Sequence, residues 1–361
     1  MADKIRVLMV GPDRSVHGGI SAVVNELYGA GLDKLVDLKY LGTVKEGSKC
    51  KKLIVAAFAY ARFLYEIPKC DIVHIHFSSD SSFVRKSFFI KSAYRHKKKI
   101  VLHQHGGDFK TYYGKQLGKR GKNRVRHILD MADVFLVLTE SWKEYFSNLI
   151  SSDKIKVFPN GVSTVDYTGI AGNKSESNIV KDYNKIVFLG RICKDKGMDE
   201  LLEAIDDIHT EIPEAELCIG GIYEDESYRA KINNRKEYVH FLGWISGEEK
   251  KRLLEKSGIL VLPSYFEGMP VSIIEAMLEQ CAVIATSVGG IPEIIDDGID
   301  GVLVPPRNHL AISNAIKEVM CKHDYAISLG KNGKDKVLKN FSVEENVKKL
   351  EEIYKKTVTK Q

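Results

Sequence analysis

Glu267 and Glu275 stand eight positions apart on either side of a turn, in Pro263-Ser264-Tyr265-Phe266-Glu267-Gly268-Met269-Pro270-Val271-Ser272-Ile273-Ile274-Glu275-Ala276. The apolar run 258–262 before them reads as a buried strand, and a helical stretch continues through Met277 and Leu278. Pro270 suits the first helical position, where its missing N–H is no loss. The next amides, at Val271 and Ser272, would face an incoming anion with the positive end of the helix dipole behind them. Gly268 and Met269, in the turn itself, join the candidate ligand-binding set. Carboxylates bind hydroxyls, not phosphate. A ligand with phosphate in the middle and hydroxyl-rich groups at both ends fits such a segment, and a nucleotide-sugar has that build.

Arg191 and Lys196 follow the first apolar run of the second half, in Gly190-Arg191-Ile192-Cys193-Lys194-Asp195-Lys196-Gly197. Two cations in a strand-to-helix loop, opposite the helix start at Val271, could hold a diphosphate and stabilise the charge that develops as it leaves. Lysines are mostly exposed, so Lys194 and Lys196 also read as ordinary solvated residues. Glu275 lies among Ile273, Ile274, Ala276, Met277 and Leu278 and must be paired, hydrogen-bonded or protonated there. Two ribose hydroxyls would satisfy it; so would a salt bridge to another helix. Gly18-Gly19 closes the loop after the first strand without forming G-x-G-x-x-G, and small residues there would let backbone approach a phosphate or sugar. His74-x-His76 and His103-x-His105 place imidazoles on shared strand faces. No Asp/Glu/His ligand set at a recognisable spacing accompanies them, so no metal is expected. His105 opens the loop before Gly106-Gly107-Asp108, where a group contacting a reacting sugar would sit.

These residues need a frame. Apolar runs alternate with helix-like stretches, which implies parallel sheets with crossover helices. The runs are 5–10, 37–41, 71–77, 99–103, 134–138 and 155–158, then 185–189, 216–219, 238–242, 259–262, 282–285 and 302–304. Six and six give an α/β chain of two doubly wound, Rossmann-like domains, with the natural site in the cleft between them. The expected division is 1–165, 166–342 and a C-terminal helix from 343 to 361 that could pack back on the first domain. Residues 166–184, rich in Gly, Ser, Asn and Lys, read as a linker or exposed excursion. Every candidate above follows a strand, where ligands of open α/β sheets bind.

The 361 residues carry 44% hydrophobic side chains, enough for two cores. Six scattered cysteines without a C-x-x-C pair argue against a disulfide framework or structural zinc and suit a reducing cytosol. No signal peptide or membrane span is expected. The net charge of +6 conceals 28 Lys+Arg against 15 Asp+Glu in residues 1–165. Residues 49–66 and 82–99 read as apolar helices with basic flanks, suited to an anionic membrane surface. Residues 110–126 add a basic, glycine-containing loop that could meet an anionic acceptor. No nucleic-acid recognition motif is present.

Glu267 to Glu275 resembles the E-x7-E motif of retaining glycosyltransferase family 4, which has the GT-B fold. Arg191 and Lys196-Gly197 match that family's R-x4-K-G, and Pro159-Asn160-Gly161-Val162, Phe241-Leu242-Gly243 and Val288-Gly289-Gly290-Ile291-Pro292-Glu293 resemble further landmarks. The resemblance spans nearly the whole chain. It implies that Arg191 and Lys196 bind the donor diphosphate, Glu275 the ribose and Glu267 the donor sugar. His105 would contact sugar hydroxyls near the reacting carbon, Gly18 and Gly19 would line the donor pocket, and Trp244 would lie near the base. It also implies a metal-independent, cofactor-free transfer from a nucleotide-sugar, a UDP-sugar above all, to a growing or lipid-linked glycan; the basic helices add the expectation of a cytoplasmic protein held peripherally at the inner face of the cell membrane. Pro270 departs from the glycine many members carry and shifts the phosphate contacts to Val271 and Ser272. A UDP-sugar 2-epimerase of the same fold and a non-catalytic nucleotide-sugar binder stay open as alternatives.

Overall fold

The computed structural model describes residues 4–47, 49–167 and 180–359, with side chains from residue 54 onward in the helix that opens at Lys49. The chain divides into two compact units. The first is Met1–Ser163 with Ser342–Gln361, and the second is Thr164–Phe341.

The first unit contains β1 (Arg6–Gly11), β2 (Asp37–Gly42), β3 (Ile72–Phe77), β4 (Lys99–Gln104), β5 (Val134–Val137) and β6 (Ile155–Val157). They form one parallel sheet in the order β2-β1-β3-β4-β5-β6. The second unit contains β7 (Asp182–Leu189), β8 (Glu216–Gly220), β9 (Val239–Gly243), β10 (Ser257–Leu262), β11 (Ala282–Thr286) and β12 (Val302–Val304). Its order is β12-β11-β10-β7-β8-β9, also all parallel. The twelve expected strands all form. Strands such as β3, β10 and β11 are buried along their whole length, which is why they read as unbroken apolar runs rather than alternating ones. Both sheets are doubly wound. The chain reverses direction across the sheet between β1 and β3 in the first unit and between β7 and β10 in the second, and ligands of such sheets bind outside the carboxyl ends of the strands at that reversal.

Three local expectations change. β7 starts at Asp182, three residues before its apolar core, because Asp182-Tyr183-Asn184 pairs along β10 while its side chains stay partly exposed. Of the expected linker 166–184, residues 168–179 lie outside the described residues. The basic segment 110–126 is mostly helical rather than a loop. Phe109–Thr111 and Tyr112–Gln116 form helical turns, and Lys119–Asp130 is an α-helix that buries Val125, Ile128 and Leu129.

The helix Val343–Thr359 belongs to the first unit. Val343 N–H donates to the Val162 carbonyl at 3.0 Å, and Asn346 donates to the Pro159 carbonyl at 2.9 Å. Tyr354, fully buried, reaches His74. Among the described residues no helix is long and apolar enough to cross a membrane.

Candidate active site

In the second unit the loops after β7 and β10 meet. Gly197, at φ +69°, begins the helix Met198–Glu211, and a Cβ there would overlap the Pro263 carbonyl. Only glycine combines that backbone with so close an approach. Tyr265 N–H donates to the Asp195 carbonyl at 2.8 Å, and the Tyr265 hydroxyl donates to Glu200 at 2.6 Å. The loop carrying Lys196 is thus fastened to the loop carrying Glu267, and Lys196 forms an ion pair with Glu267. Both side chains are largely buried, so the pair is drier than an ordinary surface ion pair and its two groups hold each other in place.

The turn after Glu267 is held from a third side. Gly289 follows β11 at φ +56°, and a Cβ there would overlap the Glu267 carbonyl. Thr286 donates to the Ser264 carbonyl at 2.5 Å. Glu267, Gly268, Met269 and Val271 are buried, and Ser272 is half-buried. The helix runs Val271–Leu278 with Pro270 as its N-cap in extended conformation. Pro270 is therefore one residue outside the helix rather than at its first position, because its ψ of 120° is extended. The amides of Val271 and Ser272 are the helix's first two, and among the described residues no turn or cap supplies either with a backbone acceptor.

Glu275 projects from that helix and forms an ion pair with Lys250 on the helix Gly247–Lys256. This is the interhelical salt bridge that its apolar surroundings require. Arg191, half exposed, donates to Glu224 at 2.6 Å. Lys250 and Glu224 were not visible as site residues in the sequence, since each meets its partner only through the fold. Trp244 follows β9 and is 41% exposed, beside Gly243 at φ +70°.

In the first unit the loop after β1 leads through Gly18 to the helix Gly19–Gly29. A Cβ on Gly18 or Gly19 would meet no protein atom within 4 Å, and Gly18 at φ 166° is extended backbone. Among the described residues nothing requires glycine there. His74, His76 and His103 are fully buried on adjacent β3 and β4, and His105 follows β4. Burial lowers all four. His74 and His105 fall to about 3, and His76 and His103 lie well below the ordinary value. All are neutral imidazoles near pH 7. The nitrogens of His74, His76 and His103 lie within 4.8 Å of one another. No carboxylate touches them in any described contact, and the buried Lys86, bonded to Thr43, sits close enough to disfavour a positive charge on His76. A cation there would lack the carboxylate support that metal-bound imidazoles use.

Two family models match the chain. Residues 171–336 match glycosyl transferases group 1, and residues 36–166 match glycosyltransferase family 4. The chain has the two domains of a GT-B glycosyltransferase. It is 27% identical over 300 residues to a putative teichuronic acid biosynthesis glycosyltransferase of Bacillus subtilis, which covers 80% of this chain and 71% of that one. The sucrose-phosphate synthase structure from Thermosynechococcus elongatus superposes with a TM-score of 0.78 at 20% identity, over 98% of this chain and 99% of that one. The Anabaena protein HepE, solved in complex with UDP, superposes with a TM-score of 0.75 at 14% identity, over 98% and 100%. These two likenesses establish the fold. In this glycosyltransferase the sequence-predicted residues group by unit: Arg191, Lys196, Trp244, Glu267 to Ser272 and Glu275 in the second, and Gly18, Gly19 and His105 in the first.

Proposed function

We propose that this glycosyltransferase moves a sugar from a UDP-sugar to a growing or lipid-linked glycan, with retention at the anomeric carbon and without a metal. The reading rests on one observation: the loops at the strand reversal of the second sheet bring Lys196 onto Glu267, beside a helix start whose first amides, at Val271 and Ser272, have no backbone acceptor in the surrounding turns. A diphosphate accepts hydrogen bonds from Lys196, Arg191 and those amides. Donor binding then exchanges ligand for protein partners. The diphosphate takes Lys196 from Glu267 and Arg191 from Glu224, and Glu267 turns to the donor sugar. Glu275, ion-paired with Lys250 in the ligand-free protein, takes the ribose hydroxyls. Trp244 lies near the base, and within the first unit the space beside Gly18 and Gly19 leaves room for a ligand group.

In the reaction the bond between the anomeric carbon and the diphosphate oxygen breaks as the acceptor oxygen attacks the same face. The leaving phosphate takes the acceptor's proton, and the cations and amides stabilise the charge left on it. Glu267 and Glu275 act as hydroxyl ligands in this scheme, not as an acid–base pair. UDP complexes exist for HepE, and the Bacillus relative is described as acting in teichuronic acid biosynthesis; both fit a UDP donor and a polymer acceptor. Two exposed apolar, basic helices of the first unit provide a face for an anionic membrane, where a lipid-linked acceptor would lie.

Glu275→Ala and Lys196→Ala are expected to abolish transfer while the protein stays folded, with a lowered melting temperature because each leaves one partner of a largely buried ion pair behind. Near-normal transfer by both variants would remove the site assignment. A thermal-shift series with UDP-, GDP- and ADP-sugars is expected to show the largest rise for a UDP-sugar, since a bound ligand stabilises in proportion to its affinity and concentration. A larger rise with another base would replace UDP. Release of free sugar without acceptor would identify an epimerase.

A further inference from the structure

We infer that His76 is a positioning residue that fixes the tautomer of His105, so that His105 presents an N–H donor, not a base, to the sugar. The inference rests on the glycosyltransferase reading and on the family resemblance, which implies that His105 contacts sugar hydroxyls near the reacting carbon. His76 Nδ1 and His105 Nε2 are 2.9 Å apart. The ring planes differ by 24° with centroids 5.1 Å apart, the arrangement of two rings side by side in nearly one plane, as an in-line N–H···N bond requires.

Both rings are neutral, so each carries one N–H and one bare nitrogen. The shared bond can hold its proton on either side. If His105 Nε2 donates, His76 must carry its own proton on Nε2. That nitrogen is buried and has no hydrogen-bond partner. If His76 Nδ1 donates, the buried Nε2 is only a bare lone pair. An orphaned buried N–H is the rarer and costlier of the two defects. His76 therefore donates, His105 Nε2 accepts, and the proton of His105 lies on Nδ1. No described residue of the protein is within hydrogen-bond distance of His105 Nδ1, and it is not among the buried unpartnered atoms. It is free to donate to a sugar oxygen.

The consequence is chemical. A His105 with Nε2 occupied and Nδ1 protonated cannot accept the acceptor's proton. It can only polarise a sugar oxygen, which agrees with a leaving phosphate that serves as the base. His76 itself, fully buried, acts solely through His105.

The test uses the full-length protein labelled with 15N in histidine. Long-range proton–nitrogen correlation spectra are expected to show His105 as the Nδ1–H tautomer in the ligand-free protein. Assignment of His105 as Nε2–H would overturn the inference without any variant. His76→Phe is expected to release His105 to the Nε2–H form and to lower kcat at least tenfold, with the donor KM changed by less than about twofold. His76→Asn, whose amide can donate from nearly the same position, is expected to restore the Nδ1–H tautomer and much of kcat. An unchanged His105 tautomer in His76→Phe would refute the assignment even if activity fell. The predicted tautomers together with undiminished transfer by His105→Ala would instead refute the role of His105 in the reaction and leave the tautomer inference standing.

Discussion

Gly289 shows how single residues hold this site. Its φ of +56° and the Glu267 carbonyl in the space of a side chain make alanine doubly unfavourable. Gly289→Ala is expected to cost about 1–3 kcal/mol of stability and to weaken donor binding, because relief of the clash moves Glu267. Thermal denaturation and a donor titration check the two effects together; a variant that loses stability with unaltered affinity would separate Gly289 from the site. The buried histidines make a second prediction. Their folded-state values lie below 6.5 while the unfolded chain titrates near 6.5. Below that pH the unfolded state binds more protons, so stability is intact above pH 6.5 and falls as the pH drops toward about 3. Each fully buried imidazole contributes a slope of about 1.4 kcal/mol per pH unit in that window. Denaturant unfolding at pH 7.5, 6.0 and 5.0 should show the loss, and His103→Leu, which removes an imidazole with both nitrogens unpartnered, should flatten it.

At the scale of elements, the helices Lys49–Glu66 and Asp80–Arg95 pack against one another through Tyr60, Phe63 and Phe89, with ring centroids 5.3 and 4.9 Å apart for the two pairs to Phe89. Their outer faces carry Ile54, Phe58 and Tyr65 on one helix and Val84, Phe88 and Tyr94 on the other, with Phe58 74% exposed. Arg62 and Arg95 lie exposed among them. Exposed apolar side chains grouped this way among cations suit an anionic lipid surface. The protein is expected to sediment with anionic vesicles at low salt and to be released at high salt. Phe58→Glu with Phe88→Glu should abolish sedimentation without lowering the melting temperature, since both side chains already face water. Absence of sedimentation at any salt would end the membrane reading. Elements are also where the sequence was most legible. All twelve strands were readable because most are apolar runs closed by a turn and β2 alternates apolar with polar residues, and Glu267, Arg191 and Lys196 could be placed at strand ends for the same reason. The partners Lys250 and Glu224 were not readable, since neither carries a local pattern and each is defined only by strand order. The helix 119–130 was hidden by its charge: three buried side chains suffice to dock it, and the glycines at 118 and 121 resembled a loop.

For the whole molecule, the chain passes out of the first unit after Ser163 and returns at Ser342. Val162 and Ser342 pair as an isolated bridge at that point. The returning helix supplies Tyr354, whose hydroxyl lies 2.6 Å from His74 Nδ1 at the buried end of the histidine group. The second unit is thus contiguous in sequence, while the first is assembled from both ends of the chain. Synthesis proceeds from the N-terminus. A ribosome making this protein therefore releases every residue of the second unit while the first still lacks its closing helix. Residues 1–163 must wait, with the helix Gly19–Gly29 and His74 lacking that cover, until residues 342–359 emerge. The unit that begins first is the one that finishes last.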